Sequence, residues 1–320
     1  HQRQIQSIVA EKPKTPEGIE EILETKQRHI AEDEDTAKIE PQTTRQPSSW
    51  YMLIDEPGYY ELTQDIIDCT YECGIYINAS NVVLNGRGHI IDGVRNESSG
   101  CGIYINQVTN VTIDDVIVQE WWYCGIEIYN SSSSTINNSM IQNIHWDGLR
   151  VVSSSNIKIS SCMIRNNDDG IYVVESSESI IAENIIQNNS WSGIRLEDST
   201  NNRIIGNRFS WDGLFVYSSY NNTVESNTVN GKPLVYMENE CDKTLEINAG
   251  QIVLVYCENI TISCVNASDI EIGVELWDTS KTIIVNSIMQ NNSREGIHLY
   301  YSDNNIIMNN TILNNEDGVY

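Results

Sequence analysis

The sequence predicts an all-β protein whose main part is a right-handed, single-stranded parallel β-helix, preceded by a partly helical N-terminal arm. Two observations predict this fold. A glycine followed by an aliphatic residue, any residue and a second aliphatic residue recurs along the chain, mostly every 22 or 23 residues. Beyond the arm, no segment sustains the 3.6-residue period of a helix. Units of this length bury a core only when they stack, so the period indicates a solenoid of about 22 residues per coil.

The glycine-centred strand is the best defined element of each repeat. In every complete copy the first and third residues after the glycine are Ile, Leu or Val, which places both on the inner face of a strand. Complete copies begin at Gly102, Gly125, Gly148, Gly170, Gly193, Gly213, Gly273 and Gly296, with looser copies at Gly231 and Gly250 and a partial one at Gly318.

A second short strand precedes each glycine, for example Asn110-Val-Thr-Ile and Asn156-Ile-Lys-Ile. One repeat therefore holds two or three strands joined by turns of Asn, Ser and Asp. Asparagine suits such turns because it tolerates the left-handed conformation and bonds its own backbone. Equivalent positions of neighbouring coils should form straight columns with a spacing of about 4.8 Å.

Residues 1–48 differ in kind from the repeats and form the predicted arm, with the β-helix over 49–320. The arm holds four of the six prolines and no cysteine. Thr15-Pro16-Glu17 is a good helix start, and an apolar stripe of Ile19, Ile22, Leu23 and Ile30 follows. A helix there would cover the first coil or dock on another molecule, whereas a mobile tail is the alternative.

The net charge and the glycosylation acceptor sequences indicate which partners the protein binds and where it is located. The chain has 19 Lys and Arg against 45 Asp and Glu, a net charge of −26 that disfavours nucleic acid and anionic membranes. No apolar run is long enough for a membrane span. Acceptor sequences for N-glycosylation predict an extracellular, cell-surface glycoprotein. They lie at Asn78, Asn96, Asn110, Asn130, Asn137, Asn188, Asn221, Asn259, Asn266, Asn291 and Asn309.

The cysteines predict one disulfide and no metal centre. Cys101 and Cys124 each stand directly before a repeat glycine, so neighbouring coils bring them within disulfide reach. Cys73 has the same position one coil earlier. Other pairings stay open, and no Cys or His spacing matches a zinc, haem or thioredoxin motif.

Several segments resemble the NosD-like carbohydrate-binding and sugar-hydrolase (CASH) β-helix family, especially its archaeal secreted members. They are Pro57-Gly-Tyr-Tyr-Glu-Leu-Thr-Gln-Asp-Ile, Ser80-Asn-Val-Val-Leu-Asn-Gly-Arg-Gly-His-Ile-Ile-Asp-Gly, the glycine-centred coils, Gly231-Lys-Pro-Leu-Val-Tyr and Ala249-Gly-Gln-Ile-Val-Leu-Val. The resemblance covers residues 51–320. It implies the fold, but its members include sugar-active enzymes, periplasmic accessory proteins and structural surface modules.

Asp168 and Asp169 are the candidate catalytic residues, because β-helix polygalacturonase-like hydrolases resemble this arrangement of paired carboxylates before a strand. Those enzymes also carry a third Asp on an adjacent coil, a His-Gly turn and an Arg-x-Lys strand, and this sequence lacks the full set. Asp before Gly is also ordinary turn chemistry. A structural turn is therefore the favoured interpretation.

An aromatic series stands two residues before the repeat glycines: Tyr123, Trp146, Trp191 and Trp211, interrupted by Asp168. With Arg150 and Arg195 on nearby outward positions, it forms a candidate surface for stacking sugar rings. The alternative is a stack of side chains that covers one turn of the solenoid. Glu127 beside Arg150 indicates a cross-strand ion pair.

These observations favour a structural or adhesive cell-surface protein that assembles through its arm and the open coil end near Tyr320. The alternative is a polysaccharide-binding or polysaccharide-degrading protein, a hydrolase or lyase. A homo-oligomer and a polysaccharide are the expected partners. No cofactor is predicted, although acidic turns of a solenoid are compatible with calcium.

Overall fold

The computed structural model describes residues 5–8, 47–97 and 99–320. They form an all-β, right-handed parallel solenoid of about 12 turns with about 23 residues per turn, which confirms the predicted fold class. The described residues contain no helix. The helix expected after Thr15 lies outside them.

The strands fall into two sections along the chain. The first section holds β1 (Ile5–Ile8), β2 (Trp50–Ile54), β3 (Gly58–Leu62), β4 (Ile66–Cys69), β5 (Cys73–Ile77), β6 (Val82–Asn85), β7 (Ile90–Gly93), β8 (Cys101–Asn106), β9 (Val111–Asp114), β10 (Ile117–Gln119), β11 (Cys124–Tyr129), β12 (Thr135–Asn137), β13 (Met140–Gln142), β14 (Asp147–Val152), β15 (Lys158–Ser160), β16 (Met163–Arg165), β17 (Asp169–Val174), β18 (Ile180–Ala182), β19 (Ile185–Gln187), β20 (Ser192–Glu197), β21 (Arg203–Ile205), β22 (Arg208–Ser210), β23 (Leu214–Tyr217), β24 (Thr223–Glu225) and β25 (Thr228–Val229). The second section holds β26 (Lys232–Glu238), β27 (Cys241–Glu246), β28 (Gln251–Val255), β29 (Glu258–Ser263), β30 (Val274–Trp277), β31 (Ile283–Val285), β32 (Ile288–Gln290), β33 (Glu295–Tyr300), β34 (Ile306–Met308), β35 (Thr311–Leu313) and β36 (Asp317–Val319).

Three parallel sheets form the walls of the first section. Face A has nine strands, from β1 and β3 through every third strand to β24, and face B has eight, from β2 and β5 to β23. Face C runs from β4 to β25 and continues into strands of the second section. Inward Ile, Leu and Val of all three faces form one buried core, as the repeat pattern predicts.

The first strand comes from a part of the sequence that we assigned to the arm. Residues 5–8 form β1, which pairs in parallel with β3 and aligns Ile5 with Tyr59. The beginning of the chain thus extends face A of its own solenoid. Residues 9–46 lie outside the described residues.

The repeat glycine is required by close packing between coils. A Cβ atom on Gly125 would lie 2.5 Å from the carbonyl oxygen of Gly148, and one on Gly148 would lie 2.6 Å from that of Gly170. Real Cβ atoms do not approach backbone oxygens so closely. The column of glycines therefore lets successive coils stack at strand spacing.

Buried asparagines hold the turns together. The Asn184 side-chain amide donates to Asn207 Oδ1 at 3.0 Å, and the Asn207 amide donates to Asn227 Oδ1 at 3.0 Å. The same oxygens accept backbone N–H groups of the preceding coil. These ladders satisfy buried polar groups that the turns would otherwise leave unpaired.

A hairpin divides the two sections. Asn230 and Gly231 both have positive φ, and β26 pairs antiparallel to β25. Gly231, a looser repeat copy by sequence, is therefore a residue of the hairpin turn. After the hairpin, β28, β30, β33 and β36 continue the same sheet parallel to β26.

Side chains of the second section cover the last strand of face B. Gln251 Oε1 accepts the Leu214 N–H at 2.8 Å, and Glu275 accepts the Val216 N–H at 3.1 Å. Glu271 accepts the N–H of Gly213 at 2.9 Å. The edge of β23 is thus closed by side chains rather than by another strand.

Candidate functional site

The candidate surface begins with the outward side chains of face B. Neighbouring strands align Glu127 with Arg150, Arg150 with Tyr172, and Tyr172 with Arg195. Arg150 lies over the Tyr123 and Tyr172 rings, with its guanidinium carbon 5.5 and 4.7 Å from their centroids. Although these side chains point away from the core, Glu127, Arg150 and Tyr172 are all buried.

Each arginine of this column is paired with carboxylates. Arg150 donates to Asp147 at 2.9 Å and lies 3.7 Å from Glu127. Arg195 donates to Glu197 at 2.7 Å and lies 3.7 Å from Asp169. Both guanidinium groups, predicted as sugar ligands, are therefore committed to neighbours within the chain.

Burial dominates the electrostatics of these acids. Desolvation raises the pKa of Glu127 to about 7 and that of Asp147 to about 6, although Arg150 opposes both shifts. The pKa of Asp169 is also well above its ordinary value, first because of burial and then because Asp147 is near. Burial therefore favours the protonated form of all three acids.

The two candidate catalytic residues lie in different surroundings. Asp169 is 3% exposed and pairs with Arg195, whereas Asp168 is half-buried and accepts a hydrogen bond from the Ser190 hydroxyl at 2.9 Å. A general acid or base must come within hydrogen-bond reach of the substrate. Asp169 is shielded from solvent, so the geometry favours a structural role for it.

The aromatic candidates occupy the turn that precedes face B. Tyr123, Trp146 and Trp191 are half-buried, and Trp211 is 47% exposed. The Arg294 guanidinium carbon lies 4.1 Å from the centroid of the Trp191 ring. Tyr123 thus lies against Arg150 of the column and Trp191 against Arg294, while Trp211 reaches the surface.

Trp211 does not follow the spacing that the sequence predicts. Gln187 aligns with Ser210 and Ile194 with Leu214, so the later turn is three residues shorter. The Asn188 N–H donates to the Ser210 carbonyl, which places Trp211 level with Asn188 rather than with Trp191. Counting back from the glycine therefore assigns Trp211 to the wrong column.

Two further residues of this surface, Trp122 and His145, are not among those predicted from the sequence. The rings of Trp122 and His145 stack with centroids 3.7 Å apart, and His145 also meets Trp146 edge-on at 5.8 Å. Each of the stacked residues stands one position before a member of the predicted series. We call Trp122, Tyr123, His145, Trp146, Trp191 and Trp211 the aromatic turn.

The cysteines of face B lie beside the column. Cys101 and Cys124 form a disulfide with their Cα atoms 4.7 Å apart, and Cys73 aligns with Cys101 as a free buried thiol. Cys101, Cys124 and Glu127 are the one cluster of potential metal ligands among the described residues. Its sulfur atoms are joined to each other, so the cluster offers no thiolate.

The fold and the aromatic turn define a β-helix protein with a covered acid and arginine column. The chain belongs to the family described as "Right handed beta helix region", whose model matches residues 73–229 and 210–320. No curated protein matches it. Among the described residues, no helix has the length and apolar character needed to cross a membrane.

Solved structures with the same type of fold are only distantly similar. The A-module of the mannuronan C-5 epimerase AlgE4 from Azotobacter vinelandii is 16% identical, with 82% of this chain and 78% of that chain covered and a TM-score of 0.46. PfbA, a surface adhesin of Streptococcus pneumoniae, is 14% identical, with 85% and 82% covered and a TM-score of 0.42. The Dettilon tailspike protein is 14% identical, with 83% and 61% covered and a TM-score of 0.46.

Proposed function

We propose that this chain is an extracellular, adhesive β-helix module that binds a polysaccharide on the aromatic turn. One observation carries the proposal. The rings of Trp146 and Trp211 reach the surface, whereas the carboxylates of Asp147 and Asp169 are buried and paired with arginine. The arrangement supports binding a sugar rather than cleaving it.

Aromatic rings suit sugars because their faces are apolar and the edges of Trp and His offer polar atoms. Successive coils repeat at about 4.8 Å, so rings on several coils present a surface along the solenoid axis rather than a single pocket. The stacked Trp122 and His145 rings fix part of this surface before any ligand arrives. Pre-ordering of this kind lowers the entropic cost of binding.

An extracellular location and the NosD-like, archaeal secreted subgroup are also part of the proposal. The Cys101–Cys124 disulfide supports an oxidising compartment. Eight of the acceptor asparagines are exposed, namely Asn78, Asn96, Asn110, Asn130, Asn188, Asn221, Asn259 and Asn309, which supports glycosylation. Asn137, Asn266 and Asn291 are half-buried. The mass of the protein from its native source should exceed that of the bare polypeptide, and equal masses would contradict glycosylation.

The binding test compares variants of the aromatic turn. Affinity electrophoresis in gels containing hydroxyethyl cellulose or dextran should show retardation of the unmodified protein in at least one gel. Trp146→Ala and Trp211→Ala should each reduce it, because each removes a surface ring. Tyr59→Ala is the control, since Tyr59 is a half-buried ring on β3 of face A, a different wall of the solenoid. No retardation, or equal loss in the control, would contradict the proposal.

Self-assembly is the remaining part of the proposal. Its support is the exposed apolar surface of β34 and β35, where Ile306, Met308 and Leu313 are each about half exposed. A second copy of the chain is the proposed occupant of this surface. Light scattering at micromolar concentration should give a mass above the monomer, and Ile306→Asp with Leu313→Asp should lower it. A monomeric wild type would contradict assembly.

A further inference from the structure

A second aromatic cluster lies where the two sections of the solenoid meet. Trp277 and Tyr300 stack with centroids 4.6 Å apart, and Tyr217 of β23 lies 4.9 Å from Trp277 and 5.4 Å from Tyr300. Tyr301 meets Tyr300 edge-on at 4.5 Å. Tyr256 lies one coil away, 6.3 Å from Tyr220. We call Tyr217, Tyr220, Tyr256, Trp277, Tyr300 and Tyr301 the junction cluster.

The exposed members of the cluster are not needed for packing. Tyr301 is 73% exposed and Tyr256 is 42% exposed, whereas Trp277 beneath them is buried. Large exposed aromatic side chains are costly in solubility and are typical of binding surfaces.

Backbone conformation strengthens this argument. Tyr256 and Tyr301 have φ of 51° and 49°, in the left-handed region that bulky residues rarely adopt. Each directly follows a strand, and the same turn position elsewhere holds small or flexible polar residues, namely Gln107, Asn130, Ser153, Glu175, Asp198, Ser218, Asn239 and Asp278. The turn conformation therefore does not require tyrosine. At both positions asparagine would adopt the left-handed backbone conformation at a lower energetic cost.

One polar atom of the cluster also lacks a partner. The indole Nε1 of Trp277 is buried and has no hydrogen-bond acceptor among the described residues. An unpaired buried N–H is unfavourable, so its presence needs a reason. A ligand oxygen that enters beside the exposed Tyr301 ring, which lies 5.9 Å from Trp277, would supply the acceptor.

We propose that the junction cluster is a second glycan-binding surface, and that its ligand is a neutral sugar. Asp278 and Asp303 are exposed in the turns beside it, and the chain carries a net charge of −26, so uronate-rich glycans and nucleic acid are repelled. A neutral sugar offers an apolar ring face for the tyrosines and hydroxyl groups that both donate and accept. The inference shares its ligand class with the proposed function, but no residue is common to the two sites.

Substitution by asparagine separates binding from folding at this position. In Tyr256→Asn with Tyr301→Asn, the new residues tolerate the left-handed conformation, so the unfolding midpoint should be unchanged or higher. Isothermal titration with cellohexaose, maltohexaose and chitohexaose should show at least tenfold weaker binding of whichever hexaose the wild type binds. Ser218→Asn, at the same turn position beside Tyr217, is the matched control and should bind like the wild type.

The outcomes distinguish this inference from the proposed function. If Trp146→Ala abolishes hexaose binding and the double asparagine variant does not, the junction cluster is not the site, while the aromatic turn stands. If the double variant loses binding and Trp146→Ala keeps it, the junction cluster is confirmed as a separate site. Failure of the wild type to bind all three hexaoses, or a large loss of stability in the double variant, would overturn the inference.

Discussion

Glu275, on β30, accepts a hydrogen bond from the backbone N–H of Val216, on β23, although the two residues are 59 positions apart in the chain. Glu275 is fully buried. In a regular solenoid the next coil would pair with that N–H through its own backbone. Here a side chain takes the place of a strand, and it ties the second section to the first.

This contact predicts that two substitutions of Glu275 lower the stability by different amounts. Glu275→Leu should lower the free energy of unfolding by about 1–3 kcal/mol, because it leaves the Val216 N–H buried without an acceptor. Glu275→Gln keeps an acceptor oxygen and should lower the free energy of unfolding by a smaller amount. Urea unfolding measures both values, and equal losses in the two variants would contradict the role of the oxygen.

Stability should fall as pH rises from about 5 to 8. Burial raises the pKa of Asp147 to about 6, of Glu127 to about 7 and of Glu271 to about 8, against ordinary values of 3.8 to 4.5. A raised pKa means that the folded chain binds protons more tightly than the unfolded chain. That stabilisation is complete below the ordinary pKa and is lost as pH rises through the raised value.

The thermal unfolding midpoint should therefore be higher at pH 5 than at pH 8.5. Glu127→Gln combined with Glu271→Gln should make the midpoint depend less on pH, because two of the three titrating groups are removed and only Asp147 remains. A midpoint that rises with pH in the wild type would show that these acids are ionised in the folded protein and stabilised by their arginine and backbone partners.

Neither candidate catalytic residue should be needed for any polysaccharide-processing activity of the preparation. Asp168→Ala and Asp169→Ala should leave such activity unchanged, because Asp169 is shielded and Asp168 bonds to Ser190. Asp169→Ala should still reduce stability, since it leaves Arg195 with one carboxylate fewer. Loss of depolymerising activity in a variant that keeps its circular dichroism spectrum would show that the residue is catalytic.

The glycines of the complete repeat copies should tolerate no side chain. Gly148→Ala should prevent folding or lower the unfolding free energy by several kcal/mol, since its Cβ would meet the Gly170 carbonyl at 2.6 Å. Gly206→Asn is the control, because Gly206 has a φ of 67°, which asparagine tolerates, and its Cβ would make only an ordinary contact with Glu183 Cγ at 3.8 Å. Equal behaviour of the two variants would contradict the packing argument.

The repeat was readable from sequence because each coil obeys the same local constraint. Gly148 is fixed by its neighbour's carbonyl, and the aliphatic residues after it are fixed by the core. The reversal at Asn230 and Gly231 was not predicted, although Asn-Gly is a strong hairpin signal. It was hidden because Gly231 also fits a loose copy of the repeat.

The site was harder to predict because it depends on how turns fold over a sheet. Alternation places Arg150 outward, which ordinarily means solvent, but the rings of Tyr123 and Tyr172 lie against it and it is buried. The position of Trp211 depends on a turn that is three residues shorter, which spacing from the glycine does not reveal. The junction cluster joins residues from distant coils and has no signature within a single repeat.

The antiparallel hairpin also limits how a gene for this protein can change in length. Copying one coil inside either section adds a parallel layer whose neighbours present the same strand direction, so the new layer fits between them. A copy that spans the hairpin would repeat the reversal and displace Gln251, Glu271 and Glu275 from the edge that they close. Coils should therefore be gained or lost only before or after residues 230–231. Every length variant should keep a single copy of this hairpin turn.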